Sequence, residues 1–516
     1  MYAFLEACDC RHSDEALENL KNSRSTSIDE LDNFSVKLAA DHIAHPLHHI
    51  ITLSILQKTF PSAWKYSKVI PLHKKGSVLD RKNFRPVAIL SPLSKILEKI
   101  VYNQIYDYFT NNKIFHANLH GYRGNRSTQT ALLQMYDRWV KSASQGQVSG
   151  VILLDLSAAF DLVDHQILLR KLRIYGLDSD YLAWIESYLT DRHQAVWIDH
   201  ILSEFLHCEV GVPQGSNLGP LLFLIFYNDL PFSLACEIDA YADDSTMTAS
   251  GKNVKEIGDK LSEDCETVSQ WMKINRLKLN ADKTHLLTVG TRERLQKLPE
   301  KVEVSMEGII LEECEEKCEL LLGCQIQSDL KWHQQIDNLL GKLRKRLVGL
   351  AKLKFIVPYF TRKAIAQGIF NSVLVYCIPL FAGCDIEELK ALQVLQNKAA
   401  QIVTNSPPRA KRSDMYDKLG WLTVNQLGVY HTLLTVFKVR QSKEPEYLSE
   451  VLNKDSRNGR IIIPNTSLTL AKKSFTFRGS SDWNALPLEV RNCSKIGRFK
   501  INARKWISEN VERFLD

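Results

Sequence analysis

The sequence predicts an α+β protein, because strand-length and helix-length segments are both present and are separated by turn residues. Runs of apolar or alternating residues, of the length of a strand, lie at 69–73, 83–90, 151–154 and 238–249. Hydrophobic residues that recur every three or four positions, the period of a helix, lie at 28–58, 91–111 and 129–142. The chain has 516 residues and is 45% hydrophobic, which is enough for two or three domains with packed cores.

The composition is typical of a globular intracellular protein. The net charge of +7 permits nucleic-acid binding without requiring it. Eleven cysteines, an odd number with no secretory signal before them, do not form a disulfide framework. Cys314, Cys318 and Cys324 lack the paired spacing of a zinc site. The longest apolar run, Ile369–Cys384, is interrupted by Asn371 and is too short to span a bilayer, so we expect no membrane segment.

Basic residues stand near the ends of the first two predicted strands. Lys74 and Lys75 follow the strand 69–73, and Arg85 lies in the next strand beside Pro86. Cations at strand ends suit phosphate groups, and the guanidinium of arginine binds them in a fixed geometry. A solvated turn explains the two lysines equally well, whereas the apolar neighbours of Arg85 make a specific role more credible.

Two glycine-rich loops have the composition of ligand-contacting segments. The segment His120–Thr128 contains Arg123 and Arg126, which are candidates for contact with a nucleic-acid backbone, although a plain loop is an equal alternative. The segment Val210–Pro220 contains three glycines and two prolines and precedes a predicted helix. Because glycine lets the backbone approach a ligand closely, this second loop is a candidate binding loop.

Three aspartates are candidate metal ligands. Asp155 ends the apolar strand 151–154, a position at which functional side chains of open sheets commonly occur. Asp243 and Asp244 lie in a segment that predicts a strand, a tight turn and a second strand. Adjacent carboxylates repel each other, and a divalent cation stabilises such a pair. Aspartate is also a common turn residue, so a solvated turn is the alternative.

These motifs occur in an order that resembles a known family. Asp155 is followed by Ala158–Asp161 (AAFD), then by Gly211–Ser216 (GVPQGS), and then by Tyr241–Asp244 (YADD). This order is similar to that of the reverse transcriptases of non-LTR (LINE-type) retrotransposons, such as the jockey and CR1 groups. Other segments are similar to the fingers, later palm and tail motifs of that family: Trp64, Lys74–Gly76, Asn83–Pro86, Trp271–Asn275, Leu279–Thr284, Leu322–Gly323, Trp483–Arg491 and Phe499–Lys500.

The resemblance implies the architecture of a right-hand polymerase. Its parts would be fingers, a palm with an antiparallel sheet backed by helices, a helical thumb, and a mostly helical C-terminal extension. The fingers and palm together would form a reverse transcriptase domain at about 60–330. The expected boundaries are 1–27 for a poorly defined N-terminal segment, 28–150 for the N-terminal extension and fingers, 151–335 for the palm, 336–405 for the thumb and 406–516 for the extension.

The resemblance also implies a catalytic site with two metal ions. Asp155 and Asp243 would bridge the ions, Asp244 would assist nearby, and the backbone carbonyl of Leu156 would complete one coordination shell. Two divalent ions can activate the primer 3′-hydroxyl and stabilise the leaving pyrophosphate, which requires carboxylates from two separate strands. Oxygen ligands favour Mg²⁺, and Mn²⁺ is a second candidate.

Two more residues would contact the incoming nucleotide. Phe160 is similar to a steric gate, whose bulky ring excludes a 2′-hydroxyl and so favours deoxynucleotides. Without the resemblance, we would interpret Phe160 as a core aromatic residue of a helix. Gln214 is similar to the loop residue that packs on the incoming nucleotide and the template.

The triphosphate would be held by basic residues. The resemblance assigns this role to Arg85 and to one of Lys74 and Lys75. Lys283 is similar to the lysine that donates a proton to the leaving pyrophosphate, with a solvated lysine as the alternative.

The segment Gly341–Lys363 is basic on one side and apolar on the other. It has no acidic residue, and its basic residues include Lys342, Arg344, Lys345 and Arg346. An apolar stripe is predicted at Leu343, Leu347, Leu350, Leu353 and Ile356. In a polymerase, such a segment suits a thumb helix that neutralises template–primer phosphates, because no acidic residues balance the charge. A solvated helix face is the alternative.

The sequence therefore predicts an RNA-directed DNA polymerase that makes cDNA from the RNA of a retrotransposon. Its partners would be an RNA template, a DNA primer or nicked target DNA, and deoxynucleotides, in the nucleus or cytoplasm. The residues before Ile28 leave no room for an endonuclease, so we do not expect target cleavage. The alternatives are a telomerase-type or maturase-type polymerase, disfavoured by the tail motif at Trp483, and an inactive RNA-binding remnant, disfavoured by the three aspartates.

Overall fold

The computed structural model describes Leu5 and the residues 15–280, 283–456 and 459–510. Thirteen of the 27 residues of the predicted N-terminal segment, and Ala281–Asp282 of the motif Leu279–Thr284, lie outside the described residues. The strands, numbered in chain order, are β1 (Tyr66–His73), β2 (Phe84–Ile89), β3 (Val148–Leu154), β4 (Leu156–Ser157), β5 (Arg192–Ile198), β6 (Ile201–Leu202), β7 (Leu206–Cys208), β8 (Glu237–Tyr241), β9 (Asp244–Gly251), β10 (Lys278–Leu279), β11 (His285–Val289), β12 (Ser305–Met306), β13 (Ile309–Ile310), β14 (Cys318–Leu321) and β15 (Cys324–Gln327).

Helices predominate in the second half of the chain. They are α1 (Asn33–Leu38), α2 (Ala40–Leu56), α3 (Pro92–Asn111), α4 (Thr128–Ser144), α5 (His165–Ile174), α6 (Ser179–Leu189), α7 (Leu218–Tyr227), α8 (Val254–Ile274), α9 (Arg292–Gln296), α10 (His333–Lys352), α11 (Tyr359–Ala366), α12 (Ser372–Leu374), α13 (Ile378–Phe381), α14 (Ile386–Thr404), α15 (Arg412–Leu419), α16 (Val424–Ser442), α17 (Glu446–Leu452), α18 (Thr469–Lys472), α19 (Phe475–Ala485), α20 (Leu488–Arg491) and α21 (Ile496–Glu509). This mixture of helices and sheets confirms the predicted α+β class.

The chain forms two compact units, each assembled from separate segments. Unit 1 contains 1–122, 155–234 and 266–281, and unit 2 contains 123–154, 235–265 and 282–516. The predicted palm, 151–335, is therefore distributed over both units. The boundaries expected for fingers, palm and thumb stay a prediction.

Unit 1 contains a five-stranded sheet with the order β2-β1-β5-β6, in which β7 also pairs with β5. β1 is antiparallel to β2 and parallel to β5. The rings of Phe60, Trp184 and Tyr188 are fully buried together, and the Phe60 ring lies 5.7 Å from that of Trp184 and 5.1 Å from that of Tyr188 in edge-to-face geometry. Aromatic residues of this size contribute much of the buried apolar area that stabilises a core.

Unit 2 contains an antiparallel sheet with the order β11-β3-β9-β8. The central strand β3 is almost wholly buried, which explains its continuous apolar sequence. Gly150 in β3 allows α8 to approach, because a Cβ at this position would lie only 2.7 Å from the Leu261 side chain.

The C-terminal helices share one hydrophobic core with this sheet and with α10. Fully or nearly fully buried members of that core include Trp139 of α4, Leu343 of α10, Phe437 of α16, Trp483 of α19 and Phe499 of α21. The Phe437 and Phe499 rings stack with centroids 4.2 Å apart. The residues 406–510 therefore pack as part of unit 2, wherever the structure describes them.

Helix starts follow the predicted capping signals. Ser91 accepts a hydrogen bond from the backbone N–H of Leu93 at the start of α3, where Pro92 occupies the first position. Ser127 and Thr130 form a reciprocal capping box at the start of α4.

The structure differs in detail from the sequence pattern at three segments. The predicted helical segment 28–58 forms two helices, α1 and α2, with Ala39 between them. Within 419–439, α15 ends at Leu419 and α16 begins at Val424 and occupies the rest. Ile461–Ile463 is apolar enough for a strand but forms only an isolated bridge between Ile461 and Asp455.

No helix in the described ranges combines the length and the apolarity that crossing a membrane would require.

Burial on α10 predicts a large difference between two apolar positions. Leu343 is fully buried and Val348 is 61% exposed. We expect Leu343→Ala to lower the free energy of unfolding by about 2–5 kcal/mol, because it removes packed atoms and leaves a cavity. Val348→Ala should change that free energy by less than about 1 kcal/mol. Urea unfolding of both variants tests this, and equal losses would contradict the assignment of the buried face.

Candidate functional site

The strands β8 and β9 form a tight hairpin that carries Asp243 and Asp244. Tyr241 pairs with Asp244, so Ala242 and Asp243 form a two-residue turn. Ala242 has a φ of 60°, a left-handed conformation that residues other than glycine seldom adopt. The predicted strand–turn–strand is confirmed, and the two aspartates differ: Asp243 lies in the turn, whereas Asp244 begins β9.

A buried carboxylate anchors this hairpin to the helix behind it. Asp239 of β8 is 3% exposed and accepts hydrogen bonds from Gln134 Nε2 (3.0 Å) and Arg138 Nη1 (2.8 Å), both on α4. Arg138 Nη1 also lies 2.7 Å from Glu237. A buried charge is tolerated only when it is paired in this way. Sequence reasoning missed Asp239, although its position in an apolar strand was a usable signal.

The register of the sheet relates β9 to the end of β3. Leu154, the last residue of β3, pairs with Ser245, which directly follows Asp244. Asp155 is the next residue along the chain after Leu154. Its placement at the end of a buried strand agrees with the sequence prediction.

Asp155 is held by Asn280. Asn280 Nδ2 donates to Asp155 Oδ2 (3.1 Å), and the backbone N–H of Asn280 donates to the backbone carbonyl of Asp155 (2.9 Å). Next to them, Leu156 of β4 pairs with Leu279 of β10. Asn280 belongs to the motif Leu279–Thr284, but sequence reasoning gave it no role. The structure identifies it as the residue that orients this carboxylate within unit 1.

The loop before α7 is fixed by close backbone contacts. The backbone N–H of Ala88 donates to the Gln214 carbonyl (2.7 Å), and Gln214 Nε2 donates to both carboxylate oxygens of Asp161 (2.9 and 3.0 Å). Gly215 has a φ of 127°, and a Cβ there would collide with the Ala88 carbonyl oxygen. Burial raises the pKa of Asp161, while the hydrogen bond from Gln214 opposes the rise. The loop therefore requires glycine at 215.

Glu98 of α3 stabilises the start of α7. It is fully buried, and its Oε2 accepts the backbone N–H of Asn217 (2.7 Å). Burial raises the pKa of Glu98, and the nearby Arg192 and the backbone donors lower it. Asn217, to which the sequence assigned nothing, donates from Nδ2 to the Lys95 carbonyl (2.7 Å). A carboxylate at a helix N-terminus satisfies donors that the helix cannot pair internally.

A cavity of about 450 Å³ lies beside the glycine-rich loop Val210–Pro220 within unit 1. Its polar lining includes Asp161, His165, Arg192 and Gln214. His165 Nε2 lies 2.8 Å from the Gly211 carbonyl oxygen, and Arg192 Nη1 donates to the Tyr188 carbonyl (3.0 Å). The loop thus borders a polar cavity that β2 also lines, through Pro86 and Ala88.

Comparison with known proteins decides the family. Residues 72–341, more than half of the chain, match the family "Reverse transcriptase (RNA-dependent DNA polymerase)". The chain is a reverse transcriptase family member. The matched segment of this reverse transcriptase contains Asp155, Asp243 and Asp244, as well as the nucleotide-contacting residues expected from the sequence.

Relatives extend the similarity beyond the matched domain. The chain is 26% identical over 436 residues to a probable RNA-directed DNA polymerase from transposon BS of Drosophila melanogaster, covering 81% of this chain and 47% of the relative. It is 26% identical over 417 residues to the RNA-directed DNA polymerase from mobile element jockey of the same species, covering 76% and 44%. These relatives confirm the predicted resemblance to jockey-type retrotransposon reverse transcriptases. The chain spans about half the length of the curated relatives it matches.

A third relative and a solved structure give more distant comparisons. The probable RNA-directed DNA polymerase from transposon X-element of Drosophila melanogaster is 21% identical over 479 residues, covering 89% of this chain and 51% of the relative. An apo telomerase structure from Candida tropicalis, truncated from its C-terminal domain, is 13% identical with a TM-score of 0.37, covering 54% of this chain and 57% of that chain.

In this reverse transcriptase, Phe160 lies at the edge of the core of unit 1. Its ring stacks on the buried Phe223 ring with centroids 4.6 Å apart, and the Tyr122 ring lies 6.0 Å away, edge-on. Phe160 is only half-buried. One side of the ring is therefore packed, and both interpretations of this residue, core aromatic and steric gate, remain compatible with its position.

The predicted phosphate-binding cations are exposed. Lys74 and Lys75 lie in the turn after β1, and Arg85 lies in β2 opposite Leu72. The Lys74 N–H donates to the Asn83 carbonyl (2.7 Å), which closes the turn. Lys283, in unit 2, is also exposed.

Arg123 and Arg126 have a protein partner. Arg123 Nη2 lies 3.5 Å from Glu444, and Arg126 forms a shorter ion pair with the same carboxylate. The two arginine side chains are 9% and 1% exposed. A buried, paired guanidinium is not placed to neutralise phosphates, so this geometry favours a structural role over the predicted template–primer contact.

The basic face predicted for the thumb is present on α10. Lys342, Arg344, Lys345 and Arg346 are exposed, whereas Leu343 is buried between them. The predicted apolar stripe holds at Leu347 and Leu350 but is wrong at Ile356, which is 74% exposed because α10 ends at Lys352.

The buried position of Glu98 generates a stability prediction. We expect Glu98→Ala to lower the free energy of unfolding by about 1–3 kcal/mol, because the Asn217 N–H loses its acceptor. Glu98→Gln should lower the free energy of unfolding by less than Glu98→Ala does, since it keeps an acceptor oxygen. Urea unfolding measures both.

The same carboxyl group predicts a pH dependence. Because its pKa is raised on folding, the folded state binds the proton more tightly, and stability falls as pH rises above the ordinary value of 4.5. Glu98→Gln should make this decline smaller. A decline of equal slope in parent and variant between pH 4.5 and 7 would contradict the raised pKa.

Proposed function

We propose that the chain is an RNA-directed DNA polymerase that makes cDNA from the RNA of a non-LTR retrotransposon. The observation that carries this proposal is the family match over 72–341, with an aspartate at each position that the chemistry requires. Relatives named as RNA-directed DNA polymerases support it. The proposed template is element RNA, and the proposed primer is the 3′-end of a DNA primer or of nicked target DNA.

The donor atoms fit divalent cations of the Mg²⁺ type. Asp155, Asp243, Asp244 and the Leu156 carbonyl offer only oxygen ligands, which Mg²⁺ prefers, with Mn²⁺ as a second candidate. When bound, two such ions would activate the primer 3′-hydroxyl and stabilise the leaving pyrophosphate. Asp155 and Asp243 would hold these ions, and Asp244 would assist.

Residues around the aspartates have supporting roles in this proposal. Asn280 orients the Asp155 carboxylate through a 3.1 Å hydrogen bond. The strained turn at Ala242 keeps Asp243 exposed at the end of the hairpin, with Asp239 and Arg138 as its anchor. Preorganised ligands avoid the cost of reorganisation when the reaction begins.

The incoming deoxynucleotide is proposed to contact residues of the glycine-rich loop and the exposed cations. Arg85 and one of Lys74 and Lys75 would bind the triphosphate, and Gln214 would pack on the nucleotide and template. Phe160 would exclude the ribose 2′-hydroxyl.

Two other elements complete the proposed polymerase. Lys283 would protonate the leaving pyrophosphate. The exposed cations of α10 (Lys342, Arg344, Lys345 and Arg346) would bind template–primer phosphates without reading sequence. The proposed architecture is that of a right hand, in which α10 belongs to the thumb and the residues after 405 brace it.

The metal assignment predicts the effect of removing one carboxylate. We expect Asp243→Asn to reduce dTMP incorporation on poly(rA)/oligo(dT) with Mg²⁺ by on the order of a thousandfold, because metal-ion stabilisation of the transition state is worth several kcal/mol. Primer extension measures this loss.

Asp259→Asn is the matched control, because Asp259 is exposed on α8, outside the proposed site. It should incorporate dTMP at the parent rate. Incorporation that survives Asp243→Asn would contradict the two-metal assignment. A parent chain that binds RNA but never extends a primer would favour the RNA-binding remnant.

The steric-gate role predicts a change in sugar selection. We expect Phe160→Ala to lower the ratio of kcat/KM for dTTP over that for UTP by at least about tenfold, or about 1.4 kcal/mol, because the ring no longer excludes the 2′-hydroxyl. Phe232→Ala, at a residue that is 67% exposed, is the control. If sugar selection is unchanged and only the Tm falls, Phe160 is a core residue.

A further inference from the structure

The turn between α10 and α11 exposes large apolar side chains. Phe355, Ile356 and Phe360 are 83%, 74% and 81% exposed, and Val348 on the last turns of α10 is 61% exposed. Single exposed apolar residues are ordinary, but four within thirteen positions mark an interaction surface. We call Val348, Phe355, Ile356 and Phe360 the apolar turn.

The backbone of the apolar turn is fixed by Arg362. Its side chain is buried, and its Nη1 donates to the carbonyls of Lys354 and Val357, the latter at 3.1 Å. Its Nε donates to the Val403 carbonyl on α14 (3.0 Å). One guanidinium therefore joins the turn to a core helix, so the exposed rings are held outward in a defined conformation. A preorganised surface loses little entropy on binding.

Tyr359 adds a second attachment beside the rings. Its hydroxyl donates to the Lys418 carbonyl (3.1 Å), and its ring lies edge-on to Phe360 with centroids 5.3 Å apart. Phe360 is thus oriented by a neighbour that is itself bound to α15. The Phe360 side chain is 81% exposed, so most of its ring is accessible to a ligand.

The charge around the apolar turn is positive. Lys352 ends α10 and Lys354 lies just after it, and the Lys354 Nζ lies 5.1 Å from the centre of the Phe355 ring. The sequence contains no acidic residue between Asp337 and Asp385. An apolar surface whose neighbours in the chain carry only positive charge complements a polyanion.

Exposed rings with neighbouring cations match one class of polyanion. Aromatic side chains stack on the faces of unpaired bases, and lysines neutralise the phosphates between them. In a duplex the base faces are covered by neighbouring bases, so the rings would gain nothing from it. Only an unpaired strand uses both the rings and the cations of this surface.

We propose that the apolar turn and its lysines bind single-stranded RNA, with Phe355 and Phe360 as stacking platforms. This inference rests on the proposed function in one respect: the strand is assigned as RNA because the proposed template is RNA. The contact is distinct from the duplex-binding role of the basic face of α10. Since every base has a stacking face, binding tolerates any sequence and weakens with salt.

The test measures binding of the full chain to labelled oligo(rU) of about 12 nucleotides by fluorescence anisotropy. We expect the double variant Phe355→Ala with Phe360→Ala to raise Kd by about tenfold or more, since each stacked base contributes roughly 1–3 kcal/mol. Affinity for a blunt RNA–DNA duplex should change less than about twofold. Phe232→Ala, another exposed phenylalanine, is the matched control and should bind as the parent does.

Conservative variants separate stacking from simple apolar contact. The double variant Phe355→Leu with Phe360→Leu keeps the apolar surface but removes the rings, so it should bind oligo(rU) as weakly as the alanine variant. The double variant Phe355→Trp with Phe360→Trp keeps aromatic rings and should bind as tightly as the parent. Tight binding by the leucine variant overturns the stacking role.

Other occupants give distinguishable results. The assignment to RNA is overturned if Phe355→Ala with Phe360→Ala weakens only binding to oligo(dT) of equal length, only binding to vesicles of anionic lipid, or only self-association in sedimentation. Each variant is also assayed for primer extension at saturating template, where incorporation should be retained. If the parent binds oligo(rU) through the rings but extends no primer, the proposed function fails and the binding surface stands.

Discussion

The hydrogen-bonded ion pair between Asp239 and Arg138 is the interaction on which the hairpin of β8 and β9 depends. It joins a strand that carries Asp243 and Asp244 to a helix, α4, whose other residues lie in the core of unit 2. The pair is costly to separate, because removing one partner would leave a buried charge unpaired, at about 3–5 kcal/mol. Rigidity at the base of the hairpin is what allows a strained residue, Ala242, at its turn.

In unit 1, backbone contacts hold the glycine-rich loop Val210–Pro220 in place. The glycine-rich loop is joined to β2 through the carbonyl of Gln214, and the helix after it begins on the carboxylate of Glu98. Gly215 allows the first contact because it has no Cβ. The loop is therefore positioned by two elements distant in sequence, and its own side chains are left to contact ligands or, like Gln214, to pair with a neighbour such as Asp161.

The second half of unit 2 combines a large shared core with an unusual surface. The buried residues of α10, α16, α19 and α21 belong to one core, so the C-terminal helices stabilise the helix that bears the basic face. The end of α10 at Lys352 turns the chain and exposes Phe355 and Ile356. The buried side of α10 attaches this region to the core of unit 2. The exposed side presents aromatic rings and cations, which suit nucleic acid.

The sequence by itself determined the α+β class, the family, the strand ending before Asp155 and the hairpin around Asp243, because these depend on local patterns of apolar residues and on ordered motifs. Helix caps such as Ser91 were equally local. The tertiary structure decided which polar groups support the site: Asn280, Glu98 and Asp239 each act on a residue distant in the chain, and no local pattern encodes such a pairing. It also buried Arg126 and paired it with Glu444, and it exposed Ile356, since burial depends on what packs against a residue rather than on its own hydrophobicity.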